Sequence, residues 1–317
     1  MKIGLDVMGG DFAPEVTVQG AISASPRLHP KVKIVLIGDG DAIRAICTRE
    51  GFDSSRFEIV DAPDTITMGD HPSKAFAQKT RSSIYVGYEL LSAGKIDVFA
   101  SAGSTGAMMV GAMYTVKSIE GIIRPAIAVA SPRLDGKVNV LLDVGLNADC
   151  KPDVLAQYGL LGSLYAEFVC NIPNPKVGLL NIGSEPEKGD LLTKSAYTLM
   201  NESKNYNFIG NVEGHEIFQE KADVIVCDGF VGNVLLKTVE GFSHIAEQKG
   251  IRDKFFDSLN PDNYGGTPVL GINSNVIIGH GASNSMAIKN MILLSQDVVE
   301  ADLPSKIKKY FKPDERN

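Results

Sequence analysis

Short β-branched apolar runs alternate along the chain with stretches of helical spacing. The runs are KIGLDV (2–7), KVKIVLIG (31–38), FEIVDA (57–62), DVFASAG (97–103), AIAVASP (126–132), VNVLLDVG (138–145), KVGLLNIG (176–183), YNFIGNVEG (206–214), ADVIVCDG (222–229) and NVIIGHG (275–281). Several are apolar on both faces, as strands are when helices cover both sides of a parallel sheet. Their alternation with helices predicts a wound α/β fold. No fixed-period repeat, low-complexity tract or polar linker divides the sequence. Residues 1–317 therefore read as a single α/β unit, with a bilobed form as its variant.

Most of these runs end in a Gly-rich polar turn: MGGD, GDGD, AGSTGA, DVGLN, NIGSE, GNVEG, DGFVGN and GHGASN. In a parallel sheet such turns gather at the carboxyl ends of the strands, where ligands bind. Glycine lets main-chain N–H groups approach a ligand, and the helix start that follows favours an anion. One such turn needs no more explanation than a tight connection. Eight of them, most with Ser, Thr, Asn or Asp alongside, point to a polar cleft that accepts an anion.

Composition narrows the class. The chain has 317 residues, 22% of them charged, with a net charge of −7. A phosphate-tracking nucleic-acid binder carries a basic excess, so that class is disfavoured. The four cysteines (Cys47, Cys150, Cys170, Cys227) form no CxxC and no metal spacing, and read as reduced core thiols. MKIGLDV lacks a leader pattern and no apolar run reaches ~18 residues, so the expectation is a cytoplasmic protein.

Several motifs are excluded or weak. There is no P-loop and no HExxH, and GDGDAI (38–43) has Ile43 where a dinucleotide fingerprint needs its third glycine. No cofactor or metal is expected. AGSTGA comes close to the nucleophile elbow G-x-S-x-G, with Ala102 in place of the first glycine. The chain order Ser104, Asp228, His280 matches an α/β-hydrolase triad, so a serine acyl-hydrolase or thioesterase is the rival reading. Against it, Asp228 opens another anion-type turn and His280 sits inside GHGAS.

In DGFVGNVLLKTVEG (228–241), Lys237 follows Asn233 by four residues and shares its helix face. That pair suits a phosphate at a helix start. Lys188 lies in NIGSEPEKGD (181–190) near Glu185, and GDHPSKAFAQKTRSS (69–83) is expected to place Lys74, Lys79, Ser82 and Ser83 on one helix after Pro72. Among the five histidines, His280 alone stands between glycines at a strand end, which makes it the acid/base candidate.

DVMGGDFAP, GDHPSKA, SAGSTGA, LLDVGLN, GLLNIGSE, FIGNVEG, DGFVGNVLLKTVEG, YGGTPVLG and GHGASN follow in order over residues 6–284. Together they resemble the bacterial phosphate acyltransferase family. The resemblance implies a three-layer α/β/α, Rossmann-like fold, similar to phosphotransacetylases and isopropylmalate dehydrogenases, in a homodimer. It implies transfer of a fatty acyl group from acyl carrier protein to inorganic phosphate, giving acyl phosphate. A glycerol-3-phosphate acyltransferase would use that product for phospholipid synthesis. The chain departs from the pattern at Leu146, Ala77 and Gln78, and in the short stretch between residues 241 and 264. That stretch is expected to hold one short amphipathic helical excursion, at about 242–263, built on Ile245, Ile251, Phe255, Phe256 and Leu259. Membrane contact is expected to be peripheral at most, at the inner face.

On this reading phosphate itself is the nucleophile. Gly103, Ser104 and Thr105, with Asn233 and Ser283, are expected to hold phosphate and oxyanion. Lys237 or Lys188 supplies charge, and His280 with Asn284 orients the thioester. Asn147, Asp228 and Gly232 complete the expected binding set. The acidic carrier protein needs a basic patch: Lys306, Lys308, Lys309 and Lys312, or Lys249, Arg252 and Lys254. A dehydrogenase relative of the same fold is a third class, weakened by the missing fingerprint glycine.

Overall fold

The computed structural model describes residues 1–311, and each apolar run named above contains a strand. In chain order the elements begin with β1 (Lys2–Asp6), α1 (Glu15–Ala24), β2 (Lys33–Gly38), α2 (Gly40–Arg49), β3 (Glu58–Asp61), α3 (Pro72–Gln78), α4 (Ser83–Ser92), β4 (Val98–Ser101) and α5 (Thr105–Gly111). There follow β5 (Ala126–Pro132), β6 (Val138–Leu142), α6 (Pro152–Phe168), β7 (Lys176–Asn181), α7 (Leu191–Glu202), β8 (Asn207–Glu213) and β9 (Val224–Val226). The last are α8 (Gly229–Gln248), α9 (Lys254–Ser258), β10 (Thr267–Leu270), β11 (Asn275–Ile278), α10 (Ser285–Glu300) and α11 (Leu303–Phe311).

These elements pack as two compact units. One holds residues 1–117 and 262–300; the other holds 118–261 and, among the described residues, 301–311. In the first unit the strand order is β3-β2-β1-β4-β11-β10, parallel except for β10, which runs antiparallel to β11. Leu5 lies opposite both Leu36 and Ala100 in register, and all three are fully buried. Burying a leucine or phenylalanine contributes roughly 1.5–3 kcal/mol, so these double-sided strands hold the unit together. Tyr88 of α4 meets Phe99 of β4 edge-on, with ring centroids 5.2 Å apart.

In the second unit the order is β5-β6-β9-β7-β8, with β5 antiparallel to β6 and the rest parallel. Its core helix is α6, which buries Val154, Leu155, Tyr158, Leu161 and Leu164. The α/β class expected from the alternating pattern is therefore the class of each unit.

Two local expectations change. The segment 69–83 is two helices: α3 ends at Gln78, and Ser82 caps α4 by accepting from Tyr85 N–H. A serine there competes for the next helix start, so Ser82 and Ser83 leave the face that carries Lys74. The stretch 242–263 also divides. Its first residues continue α8 to Gln248 and α9 follows after a break, with Ile245, Ile251 and Phe256 exposed, while Leu259 is buried and Phe255 meets Phe218 edge-on at 5.3 Å. Among the described residues no helix is long and apolar enough to cross a membrane.

Candidate functional site

In the first unit the turns after β1, β4 and β11 meet around a buried carboxylate. Asp6, fully buried, accepts from Ser101 Oγ (2.6 Å) and from Met8 N–H (2.9 Å). Burial pushes its carboxyl above the usual range, and hydrogen bonds from Ser101, Ser83 and the Met8 and Gly9 main chain oppose that rise. Ser101 Oγ in turn accepts from Gly103 N–H at 2.9 Å. The MGGD turn lies so close that a Cβ on Gly9 would stand 2.7 Å from Gly103 N. Gly281 O accepts from Asp11 N–H (2.7 Å), which ties in the third turn.

Ser104 follows as the N-cap of α5. Its Oγ accepts from Ala107 N–H at 3.4 Å, and the residue is 5% exposed. The first N–H groups of a helix have no partner within it; Ser104 satisfies the third, and those of Thr105 and Gly106 remain as donors. The Ser104 hydroxyl hydrogen is also a donor, because the cap uses only the oxygen's lone pair. Gly103 N–H, by contrast, is spent on Ser101. In the GHGASN turn, His280 is exposed and its Nδ1 accepts from Ala282 N–H (3.2 Å). Ser283 is buried and its N–H donates to His280 O (3.0 Å). Asn284 caps α10 through Ala287 N–H (3.0 Å) and donates its amide to Asp262 Oδ2 (2.7 Å).

The second unit repeats the arrangement with other residues. Asp228 caps α8 by accepting from Val231 N–H at 2.9 Å, and Gly229 N–H donates to Asn147 O at 2.8 Å. The α8 start presses on the turn after β6, for a Cβ on Gly232 would stand 1.9 Å from Asp143 O. Asn233 is exposed and donates through Nδ2 to Val144 O at 3.3 Å. Asn147 points its amide inward, to Pro125 O (2.7 Å), Tyr158 Oη (2.7 Å) and Asp143 Oδ2 (3.0 Å). Burial and the nearby Asp143 charge raise the Cys150 thiol to about 11, so it is not a nucleophile near neutral pH. Lys237 pairs with Glu240 one turn on, at 2.7 Å. Lys188 is exposed in the loop after β7, where its N–H donates to Glu185 O (3.1 Å) and its own O accepts from Asn181 Nδ2 (3.1 Å).

The expected residues thus divide between the units. Gly103, Ser104, Thr105, His280, Ser283 and Asn284 stand in the first; Asn147, Lys188, Asp228, Gly232, Asn233 and Lys237 stand in the second. Ser104, Asp228 and Asn284 share one duty, the helix cap. The rival serine-hydrolase reading finds no support in these bonds: a triad histidine donates from Nδ1 to its carboxylate, whereas His280 Nδ1 accepts from Ala282 N–H and Asp228 caps α8 through Val231 N–H. GDGDAI is a plain turn in which Asp39 caps α2. Among the basic candidates, Lys79 is tied to Asp70 (2.7 Å), which lies at about 2 because Lys79 and Thr67 donate to it. Lys306 packs over the Phe168 ring at 3.7 Å, Lys309, Lys249, Arg252 and Lys254 are exposed, Lys308 is half-buried, and Lys312 lies outside the described residues.

Asp6 and Asp143, the two carboxylates beneath these turns, escape a reading that takes strand interiors as apolar. The signal is there: each sits in the same tripeptide, Leu-Asp-Val, immediately before a glycine turn.

A family profile described as "Fatty acid synthesis protein" matches residues 1–306. The phosphate acyltransferase of Dictyoglomus thermophilum is 41% identical over an alignment of 326 residues, covering 97% of this chain and 96% of that protein. Among solved structures, a phosphotransacetylase from Streptococcus pyogenes aligns with a TM-score of 0.66 at 19% identity, covering 94% of each chain. A 4-hydroxythreonine-4-phosphate dehydrogenase from Klebsiella pneumoniae aligns with a TM-score of 0.59 at 13% identity, covering 94% of this chain and 98% of the other. At those identities the two structures speak for the fold alone, and they place it among the α/β architectures expected from the sequence.

Proposed function

The chain belongs to the fatty acid synthesis protein family, among its phosphate acyltransferases, and on that premise we propose that it moves a fatty acyl group from acyl carrier protein to inorganic phosphate. It is an acyltransferase of phospholipid synthesis, with phosphate as acceptor. The observation that supports direct attack is the place of Ser104 as the cap of α5, where its Oγ accepts from Ala107 N–H beside the N–H groups of Thr105 and Gly106 at the helix start. The Ser104 hydroxyl keeps its hydrogen for donation to an anion.

Direct attack asks for little covalent chemistry from the protein. Phosphate must be held within ~3–3.5 Å of the thioester carbonyl, and the oxyanion that develops must meet fixed donors. In the first unit those donors are the Ser104 hydroxyl, the Thr105 and Gly106 N–H groups and Ser283, with His280 and Asn284 orienting the thioester. In the second they are Asn233 with the charges of Lys188 and Lys237. The leaving thiol has an ordinary pKa near ~8.5, so His280 or Lys237 needs to give it only modest acid help.

Acyl carrier protein is acidic, and Lys309, Lys249, Arg252 and Lys254 are the exposed charges that steer it. The product feeds a glycerol-3-phosphate acyltransferase. A second copy of the chain covers the apolar stripe Val231, Val234, Phe242 and Ile245 on α8, whose members are 41–59% exposed. Sedimentation at micromolar concentration would find a homodimer. The reaction is cytoplasmic, with membrane contact limited to the periphery of the inner face.

The test is thiol release from long-chain acyl carrier protein, measured with and without phosphate. Release that needs phosphate and yields acyl phosphate is expected. Equal release without phosphate overturns the proposal.

A further inference from the structure

Asn233 carries part of the reaction on the reading above, yet its place is set by a turn that lies beneath it. Asp143, fully buried, accepts four amide donors from that turn and its neighbour strand. Oδ1 takes Ile127 N–H (3.1 Å) and Leu146 N–H (3.3 Å); Oδ2 takes Asn147 N–H (2.6 Å) and Asn147 Nδ2 (3.0 Å). The turn so fixed presents Val144 O to Asn233 Nδ2 at 3.3 Å. Gly145 closes the other side: its φ is +130°, and a Cβ there would stand 2.8 Å from Asn233 Nδ2. Gly232, the residue before Asn233, backs onto the carbonyl of Asp143 itself.

We propose that Asp143 is a positioning residue that acts through the 144–147 turn to aim the Asn233 amide, an inference that rests on the role given to Asn233 above. One Nδ2 hydrogen of Asn233 is held by Val144 O, which leaves the second hydrogen and Oδ1 in a fixed direction for substrate. A carboxylate is the group this arrangement requires. An amide in its place offers one acceptor oxygen and turns an NH2 against donors that already point at it. The turn then shifts, Val144 O moves, and Asn233 loses its aim.

The test is a double-mutant cycle on kcat in the full chain, with Asp143→Asn, Asn233→Ala and the pair. Asn233→Ala should lower kcat by about 10² or more, the scale of a lost oxyanion donor. Asp143→Asn should lower kcat by roughly 10² as well, since small misplacement of a reacting group costs about that much. Both KM values should stay near those of the parent. The decisive expectation is that the pair is no slower than Asn233→Ala alone. Losses that multiply, or an Asn233→Ala variant with unchanged kcat, overturn the positioning role. If Asp143→Asn does not fold, Gly145→Ala replaces it in the cycle, because its methyl presses on the Asn233 amide from the turn side. The same criterion then applies. Lack of phosphate-dependent thiol release in the unsubstituted protein would defeat the acyl-transfer reading itself, whereas multiplying losses in an active enzyme defeat only the role of Asp143.

Discussion

At the end of β1, Asp6 stands between Leu5 and Val7; at the end of β6, Asp143 stands between Leu142 and Val144. Both are fully buried and both hold a glycine turn, but they are bonded differently. Asp6 takes hydroxyls from other elements, Ser101 at the end of β4 and Ser83 at the start of α4, besides the N–H groups of its own turn. Asp143 takes only amides, most of them from the four residues that follow it. The first carboxylate is a link between distant segments, so its loss should appear in stability. The second is a local brace beneath Asn233, so its loss should appear in turnover. Identical tripeptides therefore do different work, and the partners decide which.

The largest expected effect falls on activity, at the donor which the first region presents. Ser104→Ala should reduce kcat by about 10²–10³, equivalent to roughly 2.7–4 kcal/mol, leaving partial activity. Steady-state kinetics at saturating phosphate checks this, and complete loss would give Ser104 a larger role than that of a donor. Next come the two close approaches. Gly232→Ala forces a methyl to within 1.9 Å of a main-chain oxygen, whereas Gly9→Ala meets Asp6 Oδ2 at 2.4 Å. Overpacking of this kind costs about 1–3 kcal/mol or more, and urea unfolding should rank Gly232→Ala as the worse.

Asp6→Asn should cost about 1–3 kcal/mol through donors left without an acceptor, and that cost should depend on pH. The sign follows from the raised folded pKa of Asp6. Above its unfolded value of 3.8 the native state holds the proton more tightly, so this group's contribution to stability falls as pH rises towards the folded value. The gap between the parent and Asp6→Asn should therefore narrow as pH rises above 3.8. A gap that widens would contradict burial as the dominant influence on this carboxyl. The smallest effects belong to the remaining caps: Asp228→Ala and Asn284→Ala should each cost about 1 kcal/mol, read from the same unfolding curves.

Much of the frame was legible before any coordinates. The double-sided apolar runs became β1 to β9 and β11 because covering helices are the means of burying both faces of a strand. β10 escaped notice because it is only four residues long, Pro268 interrupts its apolar run and glycines precede it. At the site, the Ser, Asp and Asn residues before helices were visible, and so was their chemistry. Their shared duty as caps follows from the same residue types, so residue type alone could not separate a cap from a ligand. Asp6 and Asp143 lay hidden because hydropathy assigns a carboxylate to the surface, and only the fold reveals the donors that keep it inside.

The central claim is that phosphate, and no side chain, attacks the thioester. The most direct measurement is the intact mass of the protein after mixing with long-chain acyl carrier protein in phosphate-free buffer, followed by addition of phosphate. The account predicts an unchanged protein mass before the addition, and acyl phosphate appearing with free thiol in equal amounts after it. A protein mass raised by one acyl group before phosphate is added would contradict it.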